Sequence, residues 1–261
     1  MAEVTIGFNI SEAKSLQAKI EEQFEAVKST IQGKWTDVQT TLHTEWIGED
    51  EEDFEKKFVA RVNELYGQSK SLADGAVSMI KAISDSWKKF QESNVLTASE
   101  GNTTVTASDN STTADVSNDE SSGTKYESIN VIDAQSENLD ESTNRGLASA
   151  GSGGKIMDSV SKYVENIKSE IEGLFDSCTA GKAFFGEEQV NAVETFIKKV
   201  ATAIGEVTTA VKDLHDALEK AAGENYTSAQ TSFTSSITEE TTNVDTSLNN
   251  VSNRWSGGDS K

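Results

Sequence analysis

Two histidines, one cysteine and a run of five acids are the residues from which this chain could build chemistry. His43 and His215 each fall beside acids, at polar positions of helical stretches. They read as solvated side chains rather than as a general base or a metal ligand. Cys178 lies at the apolar end of a helical stretch with no paired base in sight, so it reads as a small core residue. Cysteine and histidine are too few for a zinc site built from those two types. The run Glu49-Asp50-Glu51-Glu52-Asp53 lacks the Asp-x-Asp-x-Asp-Gly spacing of a calcium loop. Its simplest reading is the acidic first turn of a helix, where carboxylates meet the positive end of the dipole. No Gly-x-x-x-x-Gly-Lys-Ser/Thr loop occurs, and the glycines at 151–154 read as part of a linker. The sequence therefore predicts no catalytic residue, no cofactor, no metal and a non-enzymatic role.

The acid run owes its position to the elements on either side. Ile20, Phe24, Val27, Ile31, Trp35, Val38 and Leu42 alternate between spacings of four and three, which is the apolar stripe of a helix packed on another helix. This helix is expected over 9–46, with Asn9 or Ser11 as its cap. Phe54, Phe58, Val62, Leu65, Leu72, Ala76, Ile80, Ile83, Trp87 and Phe90 repeat the pattern over about 50–92, with Ser69 as a polar lapse. At a rise of about 1.5 Å per residue each helix is about 55–65 Å long. The junction between them, Trp46-Ile47-Gly48, is too short for anything but an antiparallel hairpin. Gly48 is expected in the left-handed conformation that ends a helix, with Trp46 covering the open end of the hairpin.

Composition agrees. The 261 residues include no proline, where average usage of about 5% would give roughly 13. A proline costs about 3 kcal/mol inside a helix, so its absence suits long uninterrupted helices. The net charge of −21 excludes a phosphate-binding surface of clustered Lys and Arg, hence a nucleic-acid binder. No run approaches the 18 or more apolar residues of a membrane span, and Met1–Phe8 has neither the basic nor the apolar region of a classical signal peptide.

Residues 94–154 are rich in Ser, Thr, Asn, Asp and Gly. They are expected to form a linker or insert that is disordered or weakly β, with short strands conceivable at 103–107 and 129–132. A second helical hairpin is expected over 155–225. It carries Ile156, Val160, Val164, Ile167, Ile171, Leu174 and Cys178 on one helix, and Val190, Val193, Phe196, Val200, Ile204, Val207, Val211, Leu214 and Leu218 on the next. Between them, Phe184-Phe185-Gly186 echoes the first turn. Setting Gly186 on Gly48 aligns Phe184 with Trp46, Glu187 with Glu49, Phe196 with Phe58 and Val200 with Val62, without a gap. A C-terminal helix and tail are expected over 226–261. The predicted fold is all-α: long antiparallel hairpins forming a four- to five-helix bundle. Its turns are marked by Trp46, Gly48, Phe54, Phe184 and Gly186, and its core stripe by Phe24, Ile31, Phe58, Val62, Phe196 and Val200.

A helix ending in Trp46-x-Gly48, an acidic helix start and Phe54 soon after resemble the WXG-type family of helical-hairpin substrates of bacterial type VII secretion. The resemblance covers the first 93 residues well, and the second half through the Phe184-x-Gly186 echo. It implies hairpins that pair into four-helix bundles, protein partners bound through helix–helix packing (a second copy among them), and export without a classical signal peptide to the medium or cell surface. The chain departs from the family in one respect. The residues four beyond Tyr66, Tyr126, Tyr163 and Tyr226 are Lys70, Asn130, Ile167 and Gln230, so no Tyr-x-x-x-acid export signal is present. A tandem chain of this kind is expected to fold as its own pseudo-dimer. The alternative reading is a self-assembling filament or surface-layer subunit with a helical core and a displayed polar insert.

Overall fold

The computed structural model describes residues 9–98, 129–143, 146–180 and 187–222; within these, the side chains of 90–98, 179, 187–190, 192–194 and 219–222 are left aside. Four long helices dominate: α1 (Ile10–Glu45), α2 (Glu49–Ala98), α3 (Ser152–Thr179) and α4 (Glu187–Ala222). Two two-residue strands, β1 (Trp46–Ile47) and β2 (Gly146–Leu147), pair antiparallel at one end. The expected all-α bundle is what forms. Phe184, Gly186, the 103–107 stretch and the C-terminal helix over 226–261 lie outside the described residues.

Asn9 caps α1: its side chain accepts hydrogen bonds from the amides of Ser11 and Glu12 at 3.1 and 3.2 Å, which satisfies two of the four amides a helix start leaves without partners. The stripe residues then fall inside, with Phe24, Ile31, Phe58, Val62 and Val200 all buried. Phe196, expected to be buried like them, is half-buried. Its ring lies over Gly75, where a Cβ would stand 3.3 Å from its Cε2. The lapse at Ser69 is buried without penalty, because its hydroxyl donates to the Leu65 carbonyl one turn back at 2.9 Å. Ile83 and Trp87, expected in the stripe, are also half-buried; Ile80 is the last buried residue among the described side chains of α2, and Phe90 lies outside them. The glycines at 153–154 belong to the first turn of α3 rather than to a linker, since Ser152 begins that helix.

The two hairpins pack as layers. α1 lies against α3 and α2 against α4, while α1 and α2 also face each other. Both cross-hairpin pairs are antiparallel. Glu45 at the end of α1 meets Lys155 at the start of α3, and Gln23 meets Glu170 further down. Likewise Arg61 of α2 pairs with Glu206 of α4, and Gly75 meets Phe196. Neither hairpin could hold its stripe in water; burial of each large apolar side chain contributes roughly 1.5–3 kcal/mol.

An aromatic ladder runs through the middle. Trp46 contacts Phe54 (ring centroids 6.1 Å apart), Phe54 stacks on Phe58 (5.5 Å), and Phe58 stacks on Trp35 (6.0 Å). Tyr163 of α3 touches both Trp35 and Phe58, at 5.9 and 6.1 Å. Such pairs contribute about 0.5–1.5 kcal/mol each beyond the area they bury. Tyr163 is buried, and its hydroxyl donates to the Ile31 carbonyl at 2.9 Å, fixing the height of α3 against α1. Tyr163→Phe should keep the stacking and lose this bond, at a cost of about 0.5–1.5 kcal/mol in urea unfolding. An unchanged unfolding midpoint would mean that the hydroxyl contributes nothing to the pairing.

Candidate functional site

The most elaborate polar construction among the described residues gathers at the α1–α2 turn. It starts from the way the chain reverses. α1 ends at Glu45 because Trp46 turns extended, with φ −138° and ψ 123°, while its amide still bonds the Leu42 carbonyl. Gly48 has φ +157°, not the left-handed helical value expected of a helix-ending glycine. The reversal is made instead by two extended residues, and the Gly48 carbonyl opens α2 by accepting from the amides of Glu51 and Glu52 at 3.1 and 3.3 Å. Trp46 does cover this end of the hairpin and is fully buried; its indole N–H has no hydrogen-bond partner among the described residues. β2 lies against it, with Trp46 opposite Leu147 and Ile47 opposite Gly146.

The extended residues leave Glu45 at the junction of three elements. Its carboxylate accepts from Ser152 Oγ at 2.6 Å and from Lys155 Nζ at 2.5 Å, and its carbonyl accepts from the Ala148 amide at 3.0 Å. The hydrogen bonds from Lys155 and then Ser152 hold the Glu45 carboxyl below its ordinary range. A carboxylate here also meets the positive end of the α3 dipole.

Part of the polar insert is ordered on the same hairpin. Residues 129–139 run as an extended strap along the groove between α1 and α2, forming no strand ladder. Where the sequence allowed a short strand over 129–132, side chains bond its backbone instead. Asn63 is central. Its Oδ1 accepts from the amides of Val131 and Ile132 at 3.0 and 3.1 Å, and its Nδ2 donates to the Ile132 carbonyl at 3.0 Å. Trp35 Nε1 donates to the Asp133 carbonyl at 2.9 Å, and Gln39 Nε2 reaches the same carbonyl at 3.3 Å. Further along, the Gln135 amide donates to Glu55 Oε1 at 2.9 Å, and the Glu137 amide to Glu52 Oε1 at 3.0 Å. Ile132 supplies the buried apolar contact. The strap is thus read mainly through its main chain, and a side-chain amide such as Asn63 is suited to that because it both donates and accepts.

Beneath the strap sits an acidic pocket. Glu51 and Glu55, four residues apart on one face of α2, both point inward and are 0% exposed. His43, across the turn on α1, brings Nε2 to 2.7 Å from Glu55 Oε2 and 3.7 Å from Glu51 Oε1. Gln39 Nε2 donates to Glu55 Oε1 at 2.6 Å. The acid run is therefore more than a solvated helix start, and His43 is a half-buried member of a cluster rather than a free surface side chain. His215 is buried as well, against the expectation of a solvated residue. Burial, followed by the nearby charges of Glu55, Glu137 and Glu52, pushes the Glu51 carboxyl up to about 8. Both of its oxygens lack hydrogen-bond partners among the described residues. His43, Glu51 and Glu55 could each offer one ligand atom to a metal ion, with those atoms all within 4.8 Å of one another. Cys178 is buried in the core as expected, and burial pushes its thiol up to about 12, which keeps it from acting as a nucleophile.

A signal for the pocket was present in the spacing. Glu51 and Glu55 share the helical face of Phe54, Phe58 and Val62, and His43 stands four residues after Gln39. Asn63 follows Val62 and Gln39 follows Val38, at the edge of each apolar stripe. No protein-family model, curated protein or solved structure matches the chain.

Asn63→Ala should remove three of the strap's bonds together. The amides of Val131 and Ile132 should then exchange with solvent at least tenfold faster, and a nonspecific protease should cut the strap faster than in the wild type. Unchanged exchange at these two amides would show that Asn63 does not hold the strap. The Glu51 pocket carries a pH dependence of defined sign. Between its ordinary value of 4.5 and about 8, folded Glu51 keeps a proton that the unfolded chain has lost. Stability from this group is therefore full below about 4.5, falls as pH rises, and levels off above about 8. In chelator-treated protein, Glu51→Gln should match the wild type near pH 5 and exceed it at pH 9 in guanidinium unfolding. Parallel pH profiles for the two proteins would overturn the assignment.

Proposed function

We propose that this chain is a non-enzymatic helical-bundle protein that works through helix–helix surfaces, as a WXG-like exported substrate or structural module of a type VII-like secretion system. One observation carries the reading: the hairpin that bears Trp46-Ile47-Gly48 packs, helix by helix, on a second hairpin of the same chain. α3 covers α1 and α4 covers α2, an arrangement that supports reading the second hairpin as a stand-in for the partner hairpin that the resemblance implies. The buried Trp46 and the Gly48 carbonyl that opens α2 act as a turn device, not as a reactive centre. No described helix is long and apolar enough to cross a membrane. Acidic surface charge supports a role in which the chain stays dispersed.

In this reading the full chain is a monomer of 28.1 kDa, independent of concentration, in size-exclusion chromatography with light scattering. Expressed in a bacterium that carries such a secretion system, it reaches the medium only while the system's ATPase is intact. Growth into filaments with concentration favours the surface-layer alternative instead. Retention in cells regardless of the ATPase sinks the export reading.

A further inference from the structure

Glu51 is the least satisfied group in the described structure. It is 0% exposed, and neither carboxylate oxygen has a hydrogen-bond partner among the described residues. A buried carboxylate in that state costs several kcal/mol unless a proton or a cation joins it. Its surroundings hold an excess of negative charge. Glu52, Glu55 and Glu137 all act on it, and Lys56 is half-exposed and pairs with Glu52 at 3.2 Å. His43 is the nearest group able to ligate through nitrogen.

We propose that His43, Glu51 and Glu55 bind one divalent first-row transition-metal ion that clamps the end of α1 to the start of α2. The donor set is an imidazole and two carboxylates. With neutral imidazole it carries two negative charges, which a divalent ion balances. Nitrogen–oxygen sites of this kind favour ions such as Zn²⁺ or Mn²⁺, whereas Mg²⁺ and Ca²⁺ prefer oxygen alone. The donor atoms of the three residues lie within 4.8 Å of one another. Ligands about 2.0–2.2 Å from a zinc ion stand roughly 3.3 Å apart. His43 Nε2 and Glu55 Oε2, at 2.7 Å, need to part slightly, and His43 Nε2 and Glu51 Oε1, at 3.7 Å, to close slightly. Both are rotamer-scale adjustments.

The outer contacts are already in place. Gln39 Nε2 and the Gln135 amide both bond Glu55 Oε1. This pair turns the other oxygen, Oε2, toward His43, as hydrogen bonds to a ligating carboxylate do around metal ions. Because Gln135 belongs to the strap, the ion would also set how firmly the strap is held. A proton shared with Glu55 is the other way to relieve Glu51, and an ion at this site must displace it.

The test uses the full chain stripped with a chelator and then titrated with Zn²⁺, Mn²⁺ and Mg²⁺ by calorimetry and thermal shift. One saturable site per chain is expected, with Zn²⁺ binding at least a hundredfold tighter than Mg²⁺ and raising the melting temperature. Glu51→Gln and His43→Gln should each weaken Zn²⁺ binding tenfold or more while keeping the helical circular dichroism of the wild type. Should either variant fail to fold, the wild type decides through its His43 ring resonances, which shift with one equivalent of Zn²⁺ if the site is real. The proposal is overturned by the absence of a saturable site, by variants that bind as the wild type does (adventitious binding to the acidic surface), or by unmoved His43 resonances.

Discussion

Trp35 is the contact on which the rest of the bundle is hung. Its ring meets Phe58 of α2 and Tyr163 of α3, and its N–H holds the Asp133 carbonyl of the strap. One side chain therefore fixes the spacing of three helices and the position of an extended segment. Few residue types could do this. The ring must be large enough to span the gap between helices, and it must carry a donor at its rim so that burial leaves no polar atom bare. Through Phe58 and Phe54 the same stack continues to Trp46, so the geometry of the turn is tied to the centre of the bundle.

The turn transmits that order outward. Because α1 stops early and Trp46-Ile47 run extended, the chain offers a short edge on which Gly146-Leu147 can pair. That pairing sets the start of α3 beside Glu45, and Glu45 binds Ser152 and Lys155. A helix-ending glycine in the left-handed conformation would have reversed the chain without exposing the edge. The extended junction thus joins two hairpins as well as two helices.

Helix existence and the first hairpin were legible because burial on a helix imposes a spacing of three and four, and the apolar residues of α1 keep it from Ile20 to Leu42. The pairing of α1 with α3 was not legible, since two stripes of similar composition do not say which partner each will face. The strap was hidden for another reason. It is held largely through its backbone, which has no sequence signature, by polar residues that look like ordinary surface. The acidic pocket was obscured by its neighbours: within five consecutive acids, Glu51 cannot be told from Asp50 by type. Face is what separates them, because Glu51 and Glu55 fall in line with Phe54 and Phe58.

The docked strap has a consequence for anything else that would lie in the α1–α2 groove. The segment is joined to α3 through the twelve residues 140–151, two of which pair at β2, so it is never far from its seat. A tether that short corresponds to an effective concentration on the order of millimolar. A peptide from another molecule, present at micromolar levels, would have to bind about a thousandfold more tightly than the strap does to occupy half the grooves. The protein carries its own competitor, and the strength of that competitor sets the threshold that any outside ligand must exceed.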